Sequence, residues 1–565
     1  MSHSSFVSVN VASRLAEVAR SQPGAVAVAE PLATVTAGRR DYRTICFADL
    51  EADSSRVAAG LRAQGVTPGT RVALLVRPGI DFVSLVFACL KCGAVAILID
   101  PGMGRKNLVR CLDEARPEGF VAISAAHAVR AVLRLARRRF LAARINVTVG
   151  RRWFWGGPTL EELRRDFAPE FESFVPRPDD PAAIIFTSGS TGPPKGVLYR
   201  HQNFDRQVEE IRGRYEIEPG GIDLACFPLF GLFNSVWGVT TVVPDMDASR
   251  PASVDPRQIV AAIHDWSVTQ SFASPAVWNR VGAYCAERKL SLPTLRRVYS
   301  AGAPVAAPVL RAMQSCIATD GEIYTPYGAT EALPVASISA TEVLEQTWPE
   351  TERGAGVCVG TRFPGIEWRV IAINDGPIET LSQAKPLPAG EIGELIVRGP
   401  VVTSEYGTRV EFNLKAKVAD PAGPWHRLGD VGYLDARQRF WFCGRLSQRV
   451  RIRGKTLFTI PCESVFNTHP EVFRSALIGI GRPGSQQPAV FVETQSHKLP
   501  PNQREHNRLV LELQALADKY AHTRGIKIFF FLREMPVDVR HNAKIRREEL
   551  AARAAKIKAN VEWAS

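Results

Sequence analysis

Residues 180–203 read DPAAIIFTSGSTGPPKGVLYRHQN, a short apolar run followed by a loop of small and hydroxylated residues. The apolar run, 182–186, predicts a buried strand that leads directly into the loop. Small residues let backbone N–H groups approach an oxyanion, and hydroxyl side chains add donors. Lysine supplies a positive point charge. We therefore predict a phosphate-binding loop made of Thr187, Ser188, Gly189, Ser190, Thr191, Gly192 and Lys195.

The loop differs from the Walker A motif, in which Gly-Lys-Ser/Thr are consecutive and the hydroxyl binds magnesium. Here Pro193 and Pro194 separate Gly192 from Lys195. A surface linker is the alternative for a Ser/Gly-rich stretch, but linkers do not normally follow a fully apolar strand and end in Pro-Pro-Lys-Gly. The pattern favours phosphate binding.

The length and composition favour more than one domain of mixed α/β structure. The chain has 565 residues, of which 45% are hydrophobic, so it is able to bury large cores. Helix-like and strand-like segments alternate from about residue 7 to residue 100, which is typical of parallel sheets covered by helices. The composition changes near Gly444, where four arginines lie between Arg445 and Arg453. We predict a large N-terminal domain of layered sheets and helices, 1–443, and a smaller, mobile α+β domain, 444–565, with a hinge at 444–448.

No segment predicts a secretory signal or a membrane span. The N-terminus lacks a basic segment followed by an apolar one. The most apolar stretch, 82–99, is interrupted by Lys91 and Gly93 and is better explained as buried α/β structure. A cytoplasmic location is expected. The ten cysteines are expected to be free thiols, with the pair Cys89 and Cys92 packed in a core rather than binding metal.

A formal charge of +13 and a pI near 9.4 suit an anionic partner. Nucleic acid is the weaker option, because we find no zinc-finger spacing, RNA-recognition signature or long basic tail. Eight arginines lie between Arg130 and Arg152 among Ala, Val, Leu and Phe. Two interpretations are open for this segment: a helix on a membrane surface or an acidic partner, or a helix with a solvated arginine face.

The loop at 187–195 closely resembles the signature loop of the adenylate-forming superfamily, which contains acyl-CoA synthetases, peptide-synthetase adenylation domains and luciferases. The resemblance extends from about residue 47 to residue 547. It implies that ATP and magnesium activate a carboxylic acid, whose carboxylate attacks the α-phosphate and displaces pyrophosphate. Both reactants are anions, so lysine, magnesium and oriented amides must offset their repulsion.

Two further motifs resemble nucleotide-binding parts of that superfamily. Tyr327-Gly-Ala-Thr-Glu331 implies that Tyr327 stacks on adenine beside Gly328, that Thr330 contacts the α-phosphate, and that Glu331 holds magnesium. The alternatives are a core tyrosine and a carboxylate at the start of a helix. Ser300-Ala-Gly-Ala-Pro304 resembles the turn on the adenine side, formed by Gly302, Ala303 and Pro304, and is equally a plain turn after a strand.

The segment Trp425–Asp435 resembles the one whose first aspartate, here Asp430, binds both ribose hydroxyls. A carboxylate accepts two donors at once, which suits a vicinal diol. A turn-capping aspartate is the alternative. Gly444–Gly454 resembles the hinge segment, with Arg445 as a further ribose or phosphate contact or, alternatively, part of a solvated strand. Ser447 occupies the position where the family usually has Asp or Lys.

Near the end of the chain, residues 535–546 resemble the C-terminal motif that carries the catalytic lysine, here Lys544. Ala543 stands where the family normally has Gly. A lysine in a basic tail is ordinarily a solvated charge, but adenylation needs a cation that bridges carboxylate and phosphate. Lys544 and Lys195 lie in different predicted domains, so the small domain must close over the large one and exclude water.

Aromatic segments at 226–237 and 271–280 are typical of core packing, but the resemblance implies that they form the walls of the acyl pocket. Gly231 stands where many members have a histidine, and its small size is expected to widen the acyl tunnel. One branch of the superfamily is resembled more closely: the β-lactone synthetases of bacterial long-chain olefin biosynthesis. The resemblance lies in three runs of sequence, residues 197–204, 325–334 and 540–547. That branch implies a 2-alkyl-3-hydroxy fatty acid whose 3-hydroxyl attacks the acyl-adenylate.

Two other functions remain open at this point. One is a long-chain fatty acyl-CoA or acyl-AMP ligase, and the other is a nucleotide-binding scaffold without activity. The branch also implies docking to other enzymes of that route, a hydrolase-type lactone decarboxylase and a reductase, or peripheral contact with a membrane.

Overall fold

The computed structural model describes residues 9–36, 38–137, 139–187, 192–537 and 544–562. Its first strands are β1 Val26–Thr36, β2 Arg39–Cys46, β3 Arg71–Leu75, β4 Val95–Leu98, β5 Gly119–Ile123, β6 Ile145–Val149, β7 Pro181–Phe186, β8 Gly196–Arg200, β9 Ile222–Ala225, β10 Thr240–Val242, β11 Gln270–Ala273, β12 Arg297–Ser300 and β13 Glu322–Ala329. The later strands are β14 Ala332–Ser339, β15 Val357–Cys358, β16 Thr361–Arg362, β17 Glu367–Ile371, β18 Gly393–Arg398, β19 Lys417–Val418, β20 Trp425–Leu434, β21 Phe440–Arg445, β22 Val450–Ile452, β23 Lys455–Leu457, β24 Val472–Ile480, β25 Gln487–Thr494 and β26 Ile528–Leu532.

The helices are α1 Val11–Ser21, α2 Phe47–Ala63, α3 Ile80–Cys92, α4 Arg105–Ala115, α5 Ser124–Arg137, α6 Leu160–Asp166, α7 His201–Tyr215, α8 Pro228–Gly231, α9 Asn234–Trp237, α10 Pro256–Trp266, α11 Pro275–Arg288, α12 Ala307–Gln314, α13 Ala340–Glu342, α14 Trp348–Glu352, α15 Asn413–Ala416, α16 Thr459–Phe466, α17 Gln503–Asp518 and α18 Arg547–Glu562. Within the part of the chain that is described, none of these helices is both long and apolar enough to cross a bilayer.

Two large, mostly parallel sheets form the N-terminal part. One has nine strands in the order β16-β14-β13-β12-β11-β9-β10-β1-β2, and the other has six in the order β6-β5-β3-β4-β7-β8. The α/β architecture expected from the sequence is confirmed. The stretch 82–99 forms α3 and β4, and α3 is buried almost all round because it is apolar on every face. Lys91 is buried there too, where its Nζ lies 2.7 Å from Glu51 Oε1.

A third, antiparallel sheet, β15-β21-β20-β18-β17 with β19 paired to β20, precedes the C-terminal part. Strand β21 continues through Gly444 to Arg445, so the chain leaves this sheet within the segment 444–448, whose role as a hinge stays a prediction. Strands β24, β25 and β26 then form a separate sheet, packed with α16, α17 and α18. Arg547 Nη2 lies 2.7 Å from each carboxylate oxygen of buried Glu463, which fastens α18 to α16. The C-terminal part therefore has the expected α+β composition.

All ten cysteines are free thiols, and nine of them are buried. Cys89 and Cys92 pack inside α3, as expected, and burial raises the pKa of Cys92 to about 11. Cys46 is half-buried and precedes α2, where its sulfur accepts a hydrogen bond from the Asp49 backbone N–H over 3.4 Å.

Helix α5 carries part of the arginine-rich segment with an unexpected orientation. Arg130 is buried, with its guanidinium carbon 5.3 Å from the centre of the Phe120 ring. Val129, Val132 and Leu135 are exposed instead. The interpretation of this helix as a solvated arginine face is therefore wrong for Arg130, which packing on β5 and β6 turns inward, whereas Arg134 is exposed.

Candidate active site

The ends of the glycine-rich loop are fastened together where β7 meets β8. The backbone N–H of Thr187 donates to the Lys195 carbonyl over 2.9 Å, and the Lys195 N–H donates to Thr187 Oγ1 over 3.1 Å. β7 and β8 pair antiparallel, so the loop is the connection of a hairpin. The four loop residues Ser188, Gly189, Ser190 and Thr191 lie outside the described residues, whereas Thr187, Gly192 and Lys195 lie within them.

Lys195, Tyr406 and Glu331 form the first side-chain cluster of the site. Lys195 Nζ lies 3.0 Å from Tyr406 Oη and 3.9 Å from Glu331 Oε1. The tyrosine hydroxyl in turn donates to Glu331 Oε1 over 2.7 Å. Tyr406 is almost fully buried, and the lysine ammonium also lies over its ring, 4.5 Å from the centroid. Sequence-predicted Lys195 and Glu331 are therefore neighbours, joined by a tyrosine that sequence reasoning missed.

The residues Thr330 and Glu331 lie in the tight turn between β13 and β14, not at the start of a helix. Tyr199 Oη donates to the Thr330 carbonyl over 2.6 Å. The Thr403 backbone N–H and hydroxyl both donate to the Glu331 carbonyl, over 2.9 and 3.0 Å. The turn is thus held from two sides, so the carboxylate of Glu331 is positioned by backbone contacts and by Tyr406.

Tyr327, Asp430 and Arg445 form the second cluster. Tyr327 Oη donates to Asp430 Oδ2 over 2.5 Å, and Arg445 Nη1 donates to Asp430 Oδ1 over 2.5 Å. Asp430 is buried within β20 and Arg445 ends β21, its register partner. Asp430 therefore does not cap a turn. Arg445 likewise is not part of a freely solvated face, since Asp430 raises its pKa.

The two clusters share one electrostatic environment. Burial lowers the pKa of Lys195, Glu331 opposes that shift, and the Arg445 guanidinium lowers the pKa further. Glu331 also helps to raise the pKa of Arg445. The site thus gathers two cations and two carboxylates from four separate stretches of the chain. Such a mixture suits a polyanion that one metal ion accompanies.

A second lysine lies behind Glu331. Lys417 donates from Nζ to the carbonyl of Thr403, the residue that holds the Glu331 turn. Burial lowers the pKa of Lys417 to about 7, although Glu331 and Glu405 oppose the shift. Its register partner His426 is buried, and burial and Lys417 hold its pKa well below the ordinary value.

The turn 301–304 follows the carboxyl end of β12, on the same edge of the sheet as Tyr327 in β13. Gly302 has φ +96°, a left-handed conformation that favours glycine. Gly302 and Pro304 are exposed, Ala303 is half-buried, and Gly328 is exposed. These residues therefore follow or belong to two adjacent parallel strands, and we call this edge of the sheet the rim. Their contact with adenine stays a prediction.

An apolar cavity opens against the same rim. Ala301, Pro326 and Leu333 line it, and the first two directly precede Gly302 and Tyr327. Its enclosed interior is only about 60 Å³, and the open space of its mouth brings the total to about 600 Å³. The enclosed part is smaller than a typical ligand site, so a bound tail would also occupy the mouth. Its apolar walls come from the segments expected to form the acyl pocket and from α7: Ile211, Phe230, Phe233, Trp237 and Phe272.

The cavity also contains a carboxyl group that sequence reasoning missed. Asp223 lies in the middle of β9, and its Oδ2 accepts from Asn234 Nδ2 over 2.7 Å. Its Oδ1 has no hydrogen-bond partner among the described residues, and neither has the hydroxyl of Tyr299, which lines the same cavity. Burial raises the pKa of Asp223 to about 7. The only signal in the sequence is one acidic residue within the apolar run Ile-Asp-Leu-Ala-Cys.

Gly231 does not widen this cavity, contrary to our expectation. A Cβ atom at this position would lie 2.9 Å from Ala225 Cβ and 3.3 Å from Thr241 Cγ2. The space of a side chain is already filled by the packing of α8 on β9 and β10. A glycine stands here because the chain segments approach closely, and the cavity walls are its neighbours Phe230 and Phe233.

Lys544 lies in the C-terminal part and is half-buried. The adjacent Ile545 pairs with Val537, and Arg547 contacts Glu463 and Gln448. The preceding residues, 538–543, which include Ala543, lie outside the described residues. Ser447 is exposed, in a single helical turn at 446–448 that follows β21.

Comparisons with known proteins agree with the geometry and confirm the resemblance seen in the sequence. A family model described as AMP-binding enzyme matches residues 15–407. An olefin beta-lactone synthetase from Xanthomonas campestris pv. campestris is 43% identical over 553 residues, which cover 97% of each chain. Another, from Stenotrophomonas maltophilia, is 44% identical over 560 residues, 97% of this chain and 98% of that one.

The fold is shared with ATP-bound MatB from Rhodopseudomonas palustris, whose crystal structure aligns with a TM-score of 0.77 at 20% identity, over 98% of this chain and 100% of that chain. The two synthetases are similar to this chain along almost its whole length, and the family model covers most of the N-terminal part. The chain therefore belongs to the AMP-binding enzyme family, in the branch that contains these two synthetases.

Proposed function

We propose that the chain is an ATP-dependent, AMP-forming ligase that converts a long-chain 2-alkyl-3-hydroxy fatty acid into a β-lactone, with release of AMP and pyrophosphate. One observation carries the proposal: the segment 326–334 lines the apolar cavity at both of its ends and carries Tyr327, which bonds Asp430, and Glu331, which lies 3.9 Å from Lys195. An acid with a hydrocarbon tail in the cavity would present its carboxylate to a nucleotide bound on the rim.

The nucleotide assignment follows from free acceptor positions on Asp430. Each carboxylate oxygen has two lone pairs, and Tyr327 and Arg445 each use one. One acceptor position on each oxygen remains for the two ribose hydroxyls. In this proposal adenine lies against Tyr327 and Gly328 and against the turn Gly302, Ala303 and Pro304.

The phosphates would lie toward the loop. Backbone N–H groups and hydroxyls of Thr187, Ser188, Gly189, Ser190, Thr191 and Gly192 would bind them, with Lys195 and Thr330. Glu331 fits a magnesium ion, since Mg²⁺ is usually bound by one or two carboxylates together with substrate phosphates. When bound, magnesium would neutralise charge on the phosphate oxygens.

In the first step a carboxylate oxygen of the acid bonds to the α-phosphorus, and the bond from that phosphorus to pyrophosphate breaks. We propose that Lys544 bridges the carboxylate and the phosphate once the C-terminal part closes over the site. Lys544→Ala should abolish acid-dependent exchange of pyrophosphate with ATP while ATP still binds. Lys556→Ala, an exposed lysine of α18, is the matched control. Unchanged turnover of Lys544→Ala would contradict the assignment.

In the second step the substrate's 3-hydroxyl oxygen bonds to the carbonyl carbon, the bond from that carbon to the phosphate oxygen of AMP breaks, and the hydroxyl proton passes to solvent water. The nucleophile is part of the same molecule, so its effective concentration is high, which helps to offset ring strain. No external thiol has to enter, which agrees with the unusual hinge residue Ser447.

The test is an incubation of the enzyme with ATP, magnesium and a 2-alkyl-3-hydroxy acid, without coenzyme A. We expect β-lactone, AMP and pyrophosphate in equal amounts. Strict dependence of product on coenzyme A would identify a long-chain acyl-CoA ligase. A protein that binds ATP but releases no pyrophosphate with any long-chain acid would be a scaffold.

The strained lactone product and the hydroxyl group of the substrate indicate which reactions come after and before this one. A hydrolase-type decarboxylase would consume the lactone, and a reductase would supply the hydroxyl. We propose contact with such enzymes, in the cytoplasm, where ATP is available. Co-purification of the tagged chain with either activity would test this.

A further inference from the structure

The segment that contains α5 is strongly cationic. Residues 119–152 include eight arginines and no aspartate or glutamate. Arg139 pairs with Asp113 and Arg152 with Glu162, both outside this segment. Arg144 and Arg151 are exposed, and neither has an ion-pair partner among the described residues. The field around α5 is therefore positive.

Among the described side chains of α5, the exposed ones are apolar except Arg134. Val129, Val132 and Leu135 are 57%, 60% and 83% exposed, and Ala125 is exposed one turn before Val129. The buried side of the same helix carries His127 and Arg130. Water-facing helices normally have the reverse arrangement. An apolar stripe facing outward predicts a binding partner for this helix.

Two aromatic side chains extend this surface. Trp153 and Phe154 are 54% and 71% exposed. Their loop is tied to the start of α5, because the Ser124 hydroxyl donates to the Arg151 carbonyl and the Trp155 ring stacks on His127 with centroids 5.4 Å apart. We call Val129, Val132, Leu135, Trp153 and Phe154 the α5 surface.

We propose that the α5 surface binds an anionic lipid bilayer. Exposed Val, Leu, Trp and Phe insert into the boundary between headgroups and acyl chains, and surrounding arginines attract anionic headgroups. A second copy of the chain would bring a second cluster of arginines to the same place, so self-association through this face is disfavoured by like charge. The surface lies outside the proposed catalytic residues and does not rest on the reaction assigned above.

The test is co-sedimentation of the full-length protein with phosphatidylcholine vesicles, with and without phosphatidylglycerol. We expect binding to the anionic vesicles that weakens with added salt. The double variant Val132→Glu/Leu135→Glu should reduce the bound fraction at least about tenfold, because it places two charges in the apolar stripe. Leu511→Glu, an equally exposed leucine on α17 at 65%, is the matched control and should bind like wild type.

The double variant should match the wild type in thermal unfolding and in acid-dependent pyrophosphate exchange, both measured in detergent-free buffer. A variant that has lost its fold would differ from the wild type in both measurements. The proposal is overturned if the wild type does not sediment with anionic vesicles. It is also overturned if the double variant binds as well as the wild type, or if the surface captures an acidic protein but no vesicle. If the wild-type protein binds anionic vesicles but shows no acid-dependent pyrophosphate exchange, that result contradicts only the proposed function.

Discussion

The hydroxyl of Tyr406 donates a hydrogen bond to Glu331 over 2.7 Å. The two residues are 75 positions apart in the chain, and the same hydroxyl lies 3.0 Å from Lys195 Nζ. The tyrosine thus fixes the spacing between the carboxylate that we assign to magnesium and the lysine that we assign to phosphate.

Tyr406→Phe should lower the rate of pyrophosphate exchange by about 10- to 100-fold, which corresponds to the loss of a hydrogen bond to a charged group. The aromatic ring beneath Lys195 remains in this variant, so the fold should be kept. Steady-state kinetics with varied magnesium would measure the effect, and we expect a higher magnesium requirement. Tyr284→Phe, on α11 away from the site, is the control. Identical kinetics of Tyr406→Phe and wild type would contradict the role.

Lys417→Met should change how stability depends on pH. Burial lowers the pKa of Lys417 from 10.5 to about 7 in the folded protein. Between these values the unfolded chain binds one proton more than the folded one, so Lys417 makes the free energy of unfolding rise with pH. The variant lacks this rise. Urea denaturation near pH 7 and near pH 10 should show that the stability of wild type relative to the variant increases with pH.

Lys415→Met, at an exposed position two residues away, controls for the loss of one positive charge. If the free energies of unfolding of wild type and Lys417→Met change with pH in parallel, the pKa of Lys417 is not lowered by burial.

Asp223→Asn should have the opposite pH signature. The pKa of Asp223 is raised from 3.8 to about 7, so between these values the folded protein holds a proton that the unfolded chain has lost. Asp223 therefore makes the free energy of unfolding fall as the pH rises from about 4 to about 7. The variant should gain stability relative to wild type over that range, as measured by urea denaturation.

The same substitution should also affect substrate binding. Above pH 7 the wild-type cavity contains an ionised carboxylate, which disfavours a hydrocarbon chain. We expect the KM for the acid to rise above pH 7 in wild type and to stay constant in Asp223→Asn. Asp320→Asn, at an exposed turn, is the control. A pH-independent KM in both proteins would remove Asp223 from the cavity argument.

Gly231→Ala should destabilise the protein by about 1–3 kcal/mol, as overpacking of a filled site does. The added Cβ would approach Ala225 Cβ to 2.9 Å. Gly213→Ala, in α7 with nothing within 4 Å of the added atom, should instead stabilise by about 0.5–1 kcal/mol. Thermal unfolding of both variants would decide. A stable Gly231→Ala with slower turnover of bulky acids would restore the idea of a widened tunnel.

The sequence predicted the fold class well because the decisive signals are local. The strand before the loop, the buried helix α3 and the alternation of elements each depend on residues that are close in the chain. Helix α5 shows where this approach fails. Periodicity places Arg130 and Arg134 on one face, but it does not say which face meets the protein, since tertiary packing decides that.

For the candidate site, too, the sequence predicts the residues that lie in local motifs and misses those that only the fold brings in. Lys195, Glu331, Asp430 and Arg445 lie in contiguous motifs, and the structure brings all four together. Tyr406 and Lys417 enter the site only through strand pairing across distant segments, so no spacing rule reveals them. The sequence shows Asp223 as one acidic residue in an apolar strand, but it does not show that this residue lines a cavity. The roles of Lys544 and of 188–191 stay predictions for the experiments above.

The cysteine arrangement has a practical consequence for following domain movement. Cys46 is half-buried at the start of α2, whereas the other nine thiols are enclosed. A maleimide dye added briefly to the native enzyme should attach at this one position without any mutagenesis. A second dye on an engineered cysteine in the C-terminal part would then test by energy transfer whether this part closes over the site as ATP and acid are added.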